Sequence, residues 1–233
     1  MNTALVIMSR LPLAGYTKTR LMEALNGDQC AAFHQACLQD ICQAALDSQL
    51  TTYLYYHSPP EYAGSKLDAK GSIWGLETPV LDKLKFRQQK GADLGERLWR
   101  AGQEVLQDHS GVIFIGSDMP EITAKLLAEA ERLLHKGDVV VGPASDGGYY
   151  LLGSQYLWQG LFTAIPWGSD RVLVATLEKI RAMGMSYRHL EAKADIDTIE
   201  DLADFVGSGG SEAGIKGNLQ SYKAALQLWQ GLK

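Results

Sequence analysis

The sequence predicts an α/β fold with a largely parallel sheet, and two observations carry the prediction. Short, continuous apolar runs at 3–8, 111–116 and 138–142 have the pattern of strands covered on both faces. Between them lie segments whose apolar residues recur at helical spacing, so strands and helices alternate along the chain through short connections. A length of 233 residues without internal repeats suits one large domain.

The elements follow in order. Residues 3–8 (TALVIM) form the first strand. Asp28 is placed to cap a helix over 28–46, in which Phe33, Cys37 and Ile41 recur at four-residue steps with Leu38 and Cys42 alongside. Residues 51–57 (TTYLYYH) are β-branched and aromatic, as strands prefer. The stretch 58–89 is broken by Pro59, Pro60, Gly64, Gly71, Gly75 and Pro79, with short strands expected near Ile73 and over 84–87. Asp93 opens a capped helix whose apolar stripe is Leu94, Leu98, Ala101 and Val105. After the strand at 111–116, Thr123 caps a helix carrying Leu127, Ala130 and Leu134. Strands at 138–142 and 149–152 flank a turn, followed by a helix over 169–183 and a strand over 185–190. Thr198 and Asp201 have capping-box spacing, with Asp in the usual Glu position. The division expected is a domain at 1–206, a flexible linker at 207–214 (GSGGSEAG) and a C-terminal helix at 215–233. That last helix places Leu219, Tyr222, Leu226 and Trp229 on one side, a candidate surface for homo-oligomerisation.

Composition narrows the function. The formal charge of −5 supplies no net positive field for duplex nucleic acid, yet leaves room for a small phosphorylated ligand held by a few local cations. The apolar run at 4–8 is too short for a signal peptide or a membrane span. Cys30, Cys37 and Cys42 share one helix at spacings that suit neither a disulfide framework nor a zinc site, and read as buried reduced thiols of a cytoplasmic protein.

Open α/β sheets bind ligands beyond the carboxyl ends of their strands, so the chemistry is sought after each buried strand. After the first comes SRLPLAGYTKTRL, a Pro/Gly loop with Lys18 and Arg20; it matches neither a Walker A nor a Rossmann motif, but has the donors and cations of a phosphate-binding loop. After 111–116 comes Asp118, a hard-oxygen ligand for Mg2+ or Mn2+, or alternatively the start of an Asx turn. After 138–142 come Asp146, Gly147, Gly148 and Tyr149, a flexible turn suited to close approach by a substrate or simply to a hairpin. Asp195 and Asp197 stand two apart, so on an extended segment both face one side, although Asp197 or Thr198 could equally cap the next helix. Acidic sites after two strands facing a cationic loop after a third describe a joint metal–phosphate site.

The segments PLAGYTKTRL, GADLGERL, IGSDMP, GPASDGGYYLLG, IPWGSDRVLVATL and DIDTIEDL together resemble the radical-SAM/selenodomain-associated transferase family. Those glycosyltransferase-like proteins lie within the nucleotide-diphospho-sugar transferase superfamily and are similar to phospholactate and molybdenum-cofactor guanylyltransferases. The resemblance runs from about residue 3 to 206. It implies a GT-A-like three-layer α/β/α sandwich with a mixed, mainly parallel sheet. It also implies that Gly15, Lys18 and Arg20 wrap nucleotide phosphates, that Asp93, Leu94 and Gly95 lie near base and ribose, and that Asp118 with Asp197, or Asp195, holds Mg2+ or Mn2+. The chain departs from the family at Gly168, Ser169 and Asp170, where a Ser–Thr pair is more usual, and in its tail beyond Gly207.

The function expected is metal-dependent transfer from a nucleoside triphosphate to a small phosphorylated acceptor, with Lys18, Arg20 and Asp118 as catalytic residues and Asp146, Gly147, Gly148 and Tyr149 contacting substrate. Glycosyl transfer from a nucleotide-sugar, with Asp146 as acceptor base, is one alternative. A non-catalytic nucleotide-binding scaffold that docks partners through the tail helix is another.

Overall fold

The computed structural model describes residues 2–59, 62, 72–137, 139–208 and 217–232. Its elements are β1 (Thr3–Arg10), α1 (Gly27–Asp47), β2 (Thr51–His57), α2 (Thr78–Leu81), β3 (Lys85–Gln88), α3 (Leu94–Val105), β4 (Gly111–Gly116), α4 (Ala124–Leu134), β5 (Val139–Pro143), β6 (Tyr149–Ser154), α5 (Val172–Ala182), β7 (Tyr187–His189), α6 (Ile199–Gly207) and α7 (Gln220–Gly231). Among the described residues, no helix is long and apolar enough to cross a membrane.

One seven-stranded sheet runs in the order β3-β2-β1-β4-β6-β5-β7. All pairings are parallel except those of β6, which is antiparallel to β4 and β5. The mixed α/β sandwich expected from the sequence is therefore the observed fold. Alternation of side chains across the pleat divides the sheet between two cores. Leu5, Ile7, Leu54, Ile113 and Ile115 pack under α1 and α4. Ala4, Val6, Tyr53, Val112 and Phe114 pack under α3 and α5.

A third core lies outside this sandwich. Phe33 and Cys37 of α1 join Leu202 and Phe205 of α6 and Ala225 of α7, while Leu38, Ile41, Cys42 and Ala45 face the sheet. The apolar residues of α1 thus serve two interfaces rather than one stripe. Asp40, on the same helix, accepts hydrogen bonds from Gln220 N (2.9 Å), Ser221 N (2.8 Å) and Ser221 Oγ (2.6 Å), docking the N-terminus of α7. Cys30, Cys37 and Cys42 are free and buried, and burial pushes the Cys37 and Cys42 thiols up to about 12.

Local corrections have physical causes. Helix α1 is capped by Asn26 rather than Asp28, in a reciprocal box with Gln29. Ile73 lies in a one-turn 3-10 helix, Ser72–Trp74, and not in a strand; Pro79 starts α2 two residues after its cap, Glu77. Helix α5 begins at Val172 because residues 166–171 turn, Ser169 Oγ donating to Pro166 O and accepting from Arg171 N. On α7 the buried positions are Ser221 and Ala225, flanked by Tyr222 and Leu228, so the packed face is rotated from the 222/226/229 stripe. Most of the 207–214 linker lies outside the described residues.

Candidate active site

A cavity of about 510 Å³ opens at the carboxyl ends of β1, β2 and β4. The segments entering it are the loop after β1, the loop after β4, the β5–β6 turn and residues 195–197. At its floor is Lys18, which caps the 3-10 turn Thr19–Glu23 in the left-handed region (φ 50°) that a non-glycine residue seldom adopts. Its side chain is 1% exposed. Lys18 Nζ lies 2.5 Å from Asp118 Oδ1 and 3.7 Å from Asp197 Oδ1, and donates to Ile196 O at 2.7 Å. Ile196 N in turn donates to Asp118 O (3.1 Å), so one ammonium ties the loop after β1 to the loop after β4 and to the segment before α6. Arg20 Nη1 stands 3.7 Å from Asp197 Oδ2.

Electrostatics divide the carboxylates. Burial by itself would lower the Lys18 pKa, but Asp118 and Asp197 overcome it and the amine is held charged, above its ordinary value. Desolvation works against the Asp118 carboxylate as well; Lys18 outweighs it and draws the group below the usual range. Asp197 is raised, by desolvation and then by Asp118. Asp195 is pushed up to about 7, by desolvation and then by Asp146, Asp118 and Asp197. Four carboxylates therefore crowd one end of the cavity.

Below them, His34 of α1 is buried. Ser9 Oγ gives its hydrogen to Arg10 O, so His34 Nε2 donates to Ser9 Oγ at 3.1 Å, and Nδ1 is left as an unpartnered acceptor. Burial lowers the imidazole pKa to about 4, keeping it neutral beside the Lys18–Asp118 pair.

The structure brings Lys18, Arg20, Asp118, Asp146, Asp195, Asp197, Leu94, Gly148 and Tyr149 to this one cavity. Gly15, Asp93, Gly95 and Gly147 do not line it. Gly15 and Gly147 occupy left-handed turns (φ 76° and 88°), and a Cβ on Gly147 would stand 2.2 Å from Asp170 O. Asp93 caps α3 by accepting from Glu96 N (2.8 Å). Gly95 admits Phe162 O to within 2.3 Å of where a Cβ would sit, so it packs α3 against the segment before α5. Residues not anticipated also line the cavity: Arg10, His34, His57, Gln89, Arg97 and Trp167. Arg10 ends β1 and Arg97 follows the Asp93 cap, so position after a strand or at a helix start could have marked both. His34, in mid-helix, has no such signal.

The donor set fits a hard ion, since the carboxylates of Asp118, Asp195 and Asp197 lie close enough for one another's charge to raise Asp195. Among the described residues no three metal-ligating side chains surround a common point, and Lys18 Nζ is the group between Asp118 and Asp197.

Comparison with known proteins gives the same fold. A solved structure from Desulfovibrio desulfuricans G20, provisionally named a nucleotide-diphospho-sugar transferase, is 29% identical with a TM-score of 0.84, over 99% of this chain and 96% of that one. A cytidylyltransferase from Leptospira borgpetersenii (12% identity, TM-score 0.56, 100% and 94% covered) shares the fold. So does a nucleotidyl transferase from Methanothermobacter thermautotrophicus (12%, 0.52, 86% and 95%). No curated protein matches the chain. A family model described as an uncharacterized protein conserved in bacteria, DUF2064, matches residues 43–169, more than half of the chain, and the protein belongs to that family.

Proposed function

We propose that the protein is a metal-dependent nucleotidyltransferase that uses a nucleoside triphosphate and a small phosphorylated acceptor. The observation that carries this reading is the carboxylate cluster gathered around a buried, charged lysine at the mouth of an α/β sheet. The relatives' names, transferases of nucleotides or nucleotide-sugars, support the same class of chemistry. The motif set quoted above supports placing the chain in the radical-SAM/selenodomain-associated branch.

An oxygen of the acceptor phosphate attacks the α-phosphorus. A P–O bond forms there as the bond to the β-phosphate oxygen breaks, and pyrophosphate leaves with the electron pair. No covalent enzyme intermediate is needed, and positioning with charge stabilisation supplies the rate. Asp118 and Asp197, with Asp195, would hold Mg2+ or Mn2+, which when bound offsets negative charge on the phosphates. Lys18 keeps Asp118 ionised and ties its own loop to the two segments that carry Asp118, Asp195 and Asp197. Arg20, 63% exposed, reaches from Asp197 toward solvent and the departing phosphates. Gly148 and Tyr149 border the acceptor side.

The name of the Desulfovibrio relative favours a second reading, glycosyl transfer from a nucleotide-sugar, with Asp146 as acceptor base. Assays against panels of nucleoside triphosphates and nucleotide-sugars, with and without Mg2+ or Mn2+, separate the two. Pyrophosphate released from a triphosphate supports nucleotidyl transfer. Nucleoside diphosphate released from a sugar-nucleotide replaces it with glycosyl transfer, and no metal-dependent turnover on either panel overturns both.

A further inference from the structure

Charge is distributed unevenly along the cavity wall. Four cationic side chains line it: Arg10, Lys18, Arg20 and Arg97. Lys18 and Arg20 are paired with Asp118 and Asp197. Neither Arg10 nor Arg97 makes an ion pair among the described residues. The cations of the cavity without a salt bridge are therefore Arg10, at the end of β1, and Arg97, in the first turn of α3.

Both guanidiniums are held in place without being neutralised. Arg10 Nη1 donates to Tyr16 O (3.1 Å), and its guanidinium carbon lies 5.7 Å from the Tyr16 ring centroid. That ring stacks on His57 at 5.9 Å and 18°, and the Tyr16 hydroxyl is hydrogen-bonded to His57 Nδ1. Arg97 Nε donates to Gly91 O at 3.1 Å. Anchoring one N–H to a backbone carbonyl orients a guanidinium and leaves the rest of its donor fork for a ligand. His57 feels both charges: burial, then Arg97 and Arg10, hold its pKa below the usual value, so the imidazole is neutral between them.

We propose that Arg10 and Arg97 form the anion subsite of the cavity, and that it takes a phosphate oxyanion, either the polyphosphate chain of a nucleotide or the phosphate of an acceptor. Planar guanidiniums match phosphate oxygens two at a time, which a lysine cannot do. The subsite deepens the transferase reading and rests on it only for which molecule carries the phosphate.

The test is calorimetric titration, in EDTA, of inorganic pyrophosphate and of glycerol 3-phosphate into the wild-type protein and the variants Arg10→Gln, Arg97→Gln, Arg97→Lys and Arg20→Gln. At least one anion should bind the wild type, and its affinity should fall about tenfold or more in both Arg→Gln variants. The fall should be smaller in Arg97→Lys, which keeps charge without the fork. In Arg20→Gln it should be smaller than in either Arg→Gln subsite variant, since the Arg20 guanidinium already has Asp197 as a partner. Loss confined to pyrophosphate assigns the subsite to the nucleotide chain, and loss confined to the monoester assigns it to the acceptor. The proposal is overturned if neither anion binds the wild type, if either Arg→Gln variant binds as well as the wild type, or if Arg20→Gln loses more than both. Thermal melting checks that each variant is folded, and Arg97→Lys keeps the test readable if Arg97→Gln is not. Binding without metal needs no turnover, so a failed subsite and a failed transferase reading give different results.

Discussion

Two regions of this molecule use aspartate in opposite ways. Asp40, 9% exposed on α1, has its oxygens occupied by Gln220 N, Ser221 N and Ser221 Oγ. Burial raises its pKa and those three hydrogen bonds oppose the rise, so the group is consumed in docking one helix on another. Asp118, Asp146, Asp195 and Asp197 instead gather at one end of a cavity, with Lys18 and Arg20 offsetting only part of their charge. A carboxylate whose acceptors are filled contributes to the fold. Carboxylates left mutually repelling cost stability and hold affinity in reserve for a cation or a substrate donor.

The largest effect that tests this contrast falls on Asp118. Replacing it with Asn removes the charge nearest Lys18 with little change of shape. Turnover should drop about 10³-fold, with the protein still folded by circular dichroism. Activity within a few-fold of wild type would remove Asp118 from the machinery. At the other pole, Asp40→Ala strands the donors at the start of α7. It should cost about 2 kcal/mol, a fall in Tm of about 5 °C, while kcat at 25 °C stays unchanged. An unshifted Tm would show that α7 docks through its apolar face alone.

A subtler effect concerns pH. Asp195 keeps its proton to about pH 7 when folded, against an ordinary carboxylate value when unfolded. A raised carboxylate contributes stability that is complete below about pH 4 and disappears as the pH climbs through 7. Chemical denaturation of the metal-free protein should therefore show a loss of stability across that window which Asp195→Asn makes shallower. Parallel profiles for the two proteins would mean that the acids are not crowded as described.

How much of this was legible depended on how local its cause was. The strands at 51–57 and 111–116, and the caps Asp93, Thr123 and Thr198, were readable because a run of β-branched residues or a side chain three positions from its partner carries its own signal. That Lys18, Arg20, Asp118 and Asp197 meet in one cavity was readable because the ligand crevice of an open α/β sheet lies beyond its strand ends. The region 58–89 was less so: a 3-10 turn and the four-residue helix α2 are too short to establish periodicity. Nor does alternation reveal direction, so nothing within 149–154 states that β6 runs antiparallel to its neighbours.

By itself the sequence determined the alternation of strands and helices, the caps, and the acidic and basic groups that leave the strand ends, because each follows from neighbours a few residues away. Tertiary structure alone decided that Lys18 spends its charge on Asp118 and Asp197, that α1 serves two cores, and that Arg10 and Arg97, 87 positions apart in the chain, enter one cavity without a salt bridge among the described residues. Pairing of charges depends on distances across the fold, and those are set by the order of strands in the sheet.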